Sequence, residues 1–96
     1  MNNKIEYHVY FDGIVQSLEF KTPDGKKVTL GVIMPGDYNF GPATEKETIF
    51  ILLGTLSRIG IQPKTFYPDG ELLVFEPGME IKISCAEPVA YLCLYG

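Results

Sequence analysis

Apolar and polar residues alternate along much of this chain with a period of two, the spacing that puts every second side chain on one face of a β-strand. Val28, Leu30, Val32 and Met34 share one such face, and Ile81, Ile83 and Cys85 share another, opposed to Lys82 and Ser84. Gly or Pro interrupts the sequence so often that, beyond the first twelve residues, only 43–53 runs for more than ten positions without either. That frequency excludes long helices nearly everywhere. The uninterrupted segment, ATEKETIFILL, gathers its apolar residues at one end and includes Thr48, Ile49 and Ile51, so it predicts a loop running into a buried strand. Pro23-Asp24-Gly25 and Pro68-Asp69-Gly70 repeat one tight-turn formula, in which Pro presets φ and Gly accepts a positive one, and both predict hairpins. Pro35-Gly36 and Pro77-Gly78 fit type II turns. With Gly13, Gly31, Gly54 and Gly60 as further breaks, the pattern predicts about nine or ten short strands and one all-β domain over residues 1–96, an antiparallel sandwich or barrel.

Composition narrows the function classes. In 96 residues the interior is small, yet 46% of the residues are apolar, which places part of the apolar surface in a subunit interface. Twelve acidic residues against eight basic ones leave a formal charge of −4 and no basic face, so nucleic acid is not an expected partner. A single His (His8) and two Cys (Cys85, Cys93) cannot assemble a His/Cys zinc site or a two-His iron site within one subunit, so no metal is expected. The longest purely apolar run, residues 49–53, is far short of the ~20 a membrane helix needs, and the segment MNNKIEYHVYF lacks the apolar stretch of a secretory leader. The expectation is a soluble, cytoplasmic protein whose cysteines are reduced, buried thiols.

Several residues are candidates for chemistry. Glu47 stands just before the most apolar segment, and strand parity puts it on the face of Ile49, Ile51 and Leu53. If that face is interior, desolvation raises its pKa and suits it to proton transfer or to holding a substrate hydroxyl. If it closes a charged loop with Glu45 and Lys46, it faces water instead. Tyr38 and Phe40 alternate with Asp37 and Asn39, so their rings share a face that either stacks on a planar ligand or is plain core. Tyr91, Cys93 and Tyr95 form a second stripe with the same two readings. His8 has no evident sequence partner. Arg58, the only Arg, and Lys64, Lys82 and the Lys26-Lys27 pair are the cations available to an anionic group, and their spacing singles out none. No phosphate loop is present, and Ser17, Ser57 and Ser84 lack the setting of a hydrolase nucleophile.

Two spacings resemble the cupin superfamily: Glu47 followed by six residues and Gly54, and Gly70-ELLVFE-Pro77-Gly78. The paired histidines that such motifs carry are absent, with Pro42, Ala43 and Thr44 before the Glu and Ile81 at the second position. Longer strings resemble the small pyrimidine/purine nucleoside phosphorylase family over nearly the whole chain. They are Tyr10-Phe11-x-Gly13-x-Val15-x-Ser17-x-x-Phe20, GVIMPGDYNF over 31–40, residues 47–56, and AEPVAYLCLY over 86–95. Phe50, where the family has Thr, and the missing Trp before Tyr67 are departures. The resemblance implies a metal-free, one-domain, cupin-like antiparallel β-barrel of jelly-roll type, usually a homodimer. It also implies that the chain cleaves purine and pyrimidine nucleosides with phosphate, as co-substrate, to free base and ribose 1-phosphate. On that reading Glu47 holds ribose hydroxyls, Tyr38, Phe40 and Tyr91 line the base and sugar pocket, and Arg58 or a lysine meets the phosphate. The alternatives are a non-catalytic cupin that binds a small planar metabolite and a structural module with a sealed interior.

Overall fold

The computed structural model describes residues 4–96. Ten strands follow one another, β1 (Glu6–Tyr10), β2 (Val15–Lys21), β3 (Lys27–Ile33), β4 (Gly36–Pro42) and β5 (Glu47–Leu53) in the first half. β6 (Leu56–Arg58), β7 (Phe66–Tyr67), β8 (Leu72–Phe75), β9 (Glu80–Cys85) and β10 (Val89–Tyr95) complete the chain, and one 3-10 turn over Phe11–Gly13 joins β1 to β2. A six-stranded sheet has the order β1-β2-β3-β10-β5-β8, and a four-stranded sheet has the order β4-β9-β6-β7. Every pairing is antiparallel. The fold is all-β and antiparallel, as expected, but the barrel expectation is corrected: among the described residues no strand pairing joins the two sheets into a closed cylinder. From β3 onward the chain mostly steps across the core to the opposite sheet, so successive strands face one another instead of pairing.

The turns explain that weaving. The Pro23-Asp24-Gly25 turn is a true hairpin, in which Gly25 N–H donates to the Thr22 carbonyl at 2.8 Å and Thr22 N–H to that of Lys26 at 2.9 Å. Pro68-Asp69-Gly70 also turns, with Glu71 N–H on the Pro68 carbonyl at 3.0 Å, but it carries the chain from β7 in one sheet to β8 in the other. The expected hairpin there is therefore a crossover. Pro77-Gly78 has the hydrogen bond from Met79 N–H to the Glu76 carbonyl, 3.0 Å, and the Gly78 φ of 89° that a type II turn needs. Gly36 instead takes φ 148°, outside that turn type, and opens β4 on the opposite sheet.

The core lies between the sheets, where Val15, Ile51, Leu56, Phe75, Ile83 and Val89 are buried. Ile81, Ile83 and Cys85 point into it together, as the alternation of β9 predicts. β3 is the instructive case. Its shared apolar face turns outward, so that Leu30 and Val32 are exposed while Thr29, Gly31 and Ile33 point inward. Cys85 and Cys93 are free and buried, in line with the expected reduced thiols. Among the described residues no helix is long and apolar enough to cross a membrane.

Gly54, which ends the Glu-x6-Gly spacing, is where β5 hands the chain to the other sheet. Its φ is 98°, and a Cβ there would lie 2.6 Å from the Pro88 carbonyl oxygen. Gly54→Ala thus combines backbone strain with a clash against backbone that has no room to move. It is expected to destabilise the fold by about 2 kcal/mol or more, read as a lower denaturation midpoint with an unchanged slope.

Candidate active site

Four in-register rows of side chains line the inner face of the six-stranded sheet. β10 sets them, because it pairs with β3 on one side and β5 on the other. Tyr95 stands opposite Glu47; Cys93 lies between Thr29 and Ile49; Tyr91 lies between Gly31 and Ile51; and Val89 faces Ile33. Gly31 is required by its neighbour, since a Cβ there would meet the Tyr91 hydroxyl oxygen at 2.6 Å and the Gln16 carbonyl at 2.8 Å. The Tyr91 ring therefore packs against bare backbone. Between these rows and the facing sheet lies a cavity of about 240 Å³. Its polar wall includes Lys27, Glu47, Cys93 and Tyr95, and its aromatic wall includes Tyr91, Tyr10 and Phe40.

The electrostatics of the polar wall follow from burial. Glu47 is half-buried, and loss of hydration pushes its carboxyl above the ordinary 4.5, opposed by the Cys93 thiol and by Lys27. The Cys93 thiol donates to Glu47 Oε1 at 3.6 Å, and burial holds that thiol up at about 12. Burial likewise pushes the Tyr91 phenol up to about 12 and raises that of Tyr95, whose hydroxyl lies 3.1 Å from Thr29 Oγ1. Lys27 Nζ sits 4.3 Å over the Tyr95 ring and 3.8 Å from Glu19 Oε1. Glu19 in turn lies 3.2 Å from His8 Nε2, and Glu6 is 3.7 Å from the same nitrogen. Glu6, His8 and Glu19 thus gather three possible cation ligands within 4.8 Å of one another. Lys4 on Glu6, at 3.1 Å, and Lys27 on Glu19 already balance the two carboxylates, so the cluster is an ion-pair network in its own right.

Aromatic contacts close the other end. The Phe40 ring is edge-on to Tyr10 at 6.2 Å and to Phe11 at 5.5 Å, and Phe11 also packs on Tyr38 at 5.2 Å. Phe11 and Asp12 hold positive φ values of 51° and 56°, which for non-glycine residues costs on the order of 1–3 kcal/mol each. Packing of the Phe11 ring against Tyr38 and Phe40 offsets part of that cost.

Residues 5–95 match the family described as pyrimidine/purine nucleoside phosphorylase. The chain belongs to that family. It is 38% identical over 89 residues to the protein of that name from Alcanivorax borkumensis, covering 91% of this chain and 93% of the relative. It is 36% identical over 93 residues to the one from Rhodopirellula baltica, covering 95% and 99%. A crystal structure of a Vibrio parahaemolyticus protein of unknown function superposes with a TM-score of 0.87 at 34% identity, over 97% of this chain and 99% of that one. The cupin domain of Drosophila melanogaster CENP-C, at 8% identity, TM-score 0.70 and coverage of 97% and 76%, shares the fold alone.

Against that family, the Phe50 departure falls outside the cavity. Phe50 pairs with Leu92 and Leu72 on the outer side of the sheet. Of the residues the sequence singled out, the structure brings Glu47, Phe40 and Tyr91 to the cavity, with Cys93 and Tyr95 from the same stripe. Tyr38 is buried, but its hydroxyl donates to the Met34 and Pro35 carbonyls at 2.8 and 3.1 Å and it does not line the cavity. Arg58 does not line it either; its guanidinium lies 4.4 Å over the Phe75 ring. Leu53, placed by parity beside Glu47, turns to solvent because a register shift interrupts the β5–β10 ladder near Ala90 and Tyr91. Lys27, one of several equivalent lysines in the sequence, is the cation that reaches the cavity wall among the described residues. It shares a strand face with Thr29 on β3, but the sequence does not mark that face as the inner one.

Because the native Glu47 carboxyl holds its proton above 4.5, where the unfolded chain releases it, folding is progressively penalised as the pH rises through the native value. Glu47→Gln removes this penalty. The variant is expected to be more stable than wild type at neutral pH and to lose that advantage below pH 4.5, measured by denaturant midpoints across the range. A difference constant with pH would contradict a desolvated Glu47.

Proposed function

We propose that this protein is a nucleoside phosphorylase of the cytoplasm, taking purine and pyrimidine nucleosides and using phosphate as the second substrate. The observation that carries the reading is the division of one small cavity into a polar wall with Glu47 and Lys27 and an aromatic wall with Tyr91, Tyr10 and Phe40. A nucleoside has the same division, a flat base joined to a polyhydroxylated sugar. A volume of about 240 Å³ suits a ligand smaller than the drug-sized molecules that fill pockets of roughly 300–1,000 Å³. The family's name and the relatives that carry it support the same assignment.

In the proposed reaction a phosphate oxygen bonds to the anomeric carbon of ribose as the C1′–N bond breaks. The bonding pair leaves with the base, which takes up the proton that the phosphate releases. Positive charge accumulates on the sugar ring on the way, so catalysis rests on positioning and on fixed charge. Glu47 accepts hydrogen bonds from ribose hydroxyls, Tyr91 and Phe40 flank the base, and Lys27 meets the phosphate in place of Arg58. No metal enters this scheme.

The purified protein is expected to release free base from inosine or uridine only when phosphate is present. Lys27→Met is expected to raise the KM for phosphate roughly tenfold or more, the loss implied by a charge-assisted contact of about 1.5–3 kcal/mol. Glu47→Gln is expected to lower kcat/KM, while Arg58→Gln leaves both parameters within about twofold of wild type. Failure to release base from any common nucleoside would sink the proposal, and thermal stabilisation by nucleosides without turnover would point to the non-catalytic alternative.

A further inference from the structure

Lys27 opens β3, next to Lys26 in the chain and directly opposite Lys21 in the β2–β3 ladder. Two positive neighbours push a flexible lysine side chain toward water. Its ammonium lies instead 4.3 Å over the Tyr95 ring and 3.8 Å from Glu19 Oε1. Glu19 pairs with Thr29, two residues further along β3, so it is the diagonal neighbour of Lys27 on the inward face, and both residues line the cavity. A separation of 3.8 Å attracts the ammonium but exceeds a hydrogen bond, so Glu19 draws the charge inward without taking up one of its N–H groups.

The carboxylate is held in its turn from β1. The same Oε1 lies 3.2 Å from His8 Nε2, and the His8 ring stacks on Tyr10 at 6.2 Å with an interplanar angle of 26°. Glu6 stands directly opposite Glu19 in the β1–β2 ladder, and like charges facing across a ladder repel, which favours the side of Glu19 toward Lys27. An ion pair open to water contributes little to stability, so the fold alone does not account for a carboxylate beside a cation that meets an anion. We propose, on the reading that Lys27 meets the phosphate, that Glu19 is a positioning residue: it holds the Lys27 ammonium over Tyr95 at the cavity wall before the anion arrives. A lysine fixed beforehand loses no further rotamer freedom on binding, which is worth roughly three- to tenfold in affinity. Charge alone has the opposite sign, because a carboxylate beside a phosphate site repels the ligand.

The experiment measures the dissociation constant of inorganic phosphate for the full chain by phosphorus NMR, without nucleoside, in a double-mutant cycle of Glu19→Gln and Lys27→Met. Glu19→Gln alone is expected to weaken phosphate binding roughly three- to tenfold, with an unchanged circular dichroism spectrum. In the Lys27→Met background the same substitution is expected to cause no weakening, because the group it positions is gone. Glu19→Asp, which keeps the charge and shortens the side chain by one methylene, is the second variant and is expected to weaken binding by less. In turnover Glu19→Gln is expected to raise the KM for phosphate by the same factor and to leave the KM for nucleoside within about twofold. Unchanged or tighter phosphate binding in Glu19→Gln, with binding weakened by Lys27→Met, overturns the positioning role and leaves the phosphate role of Lys27 standing. Equal weakening by Glu19→Gln in both backgrounds overturns it as well, because Glu19 then acts through another group. Wild-type binding in Lys27→Met overturns the phosphate role of Lys27 and the positioning role together.

Discussion

β10 hydrogen-bonds to β3 on one side and to β5 on the other, and the alternation along these three strands decides the contents of the cavity and of the outer face together. Tyr91, Cys93 and Tyr95 point inward; Leu92 and Leu94 point outward. A slip of one residue in this ladder would exchange the two sets, putting leucines in the cavity and tyrosines on the surface. Gly31 helps to hold the register, because only a residue without a Cβ lets the Tyr91 ring lie where it does.

A polar inner face is expensive in so small a protein. Glu47, Cys93, Tyr91 and Tyr95 occupy positions that another sheet of this size would give to aliphatic side chains, and burial shifts each toward its neutral form. Much of the packing that stabilises the interior comes from the facing sheet, through Leu56, Ile81 and Ile83, and from Phe75 on β8. The apolar residues that a conventional sandwich would bury lie instead on the outer face. Cavity and outer face are therefore two consequences of one placement: chemistry inside displaces apolar surface outside.

The same placement clarifies the Phe50 departure from the family pattern. Phe50 lies on the outer side and adds to its apolar surface, so it leaves the cavity wall untouched.

Local features of the chain were enough to determine the strand class, the strand number, the hairpin at Pro23-Asp24-Gly25, the turn at Pro77-Gly78 and the shared face of Glu47, Ile49 and Ile51. Each depends on neighbours within a few residues, where φ limits and two-residue alternation act. Alternation also showed that Leu30 and Val32 share a face, and that Tyr91, Cys93 and Tyr95 share another, but a period of two has no sense of inside or outside. That choice came from the pairing of β3 and β5 with β10, across tens of residues. Tertiary structure alone made Pro68-Asp69-Gly70 a crossover, set Tyr38 against the Met34 and Pro35 carbonyls, laid Arg58 on Phe75 and brought Lys27 to the wall of the cavity. The identity of a long, flexible side chain says what charge it carries; where that charge sits depends on which distant ring or carboxylate the fold brings within its reach.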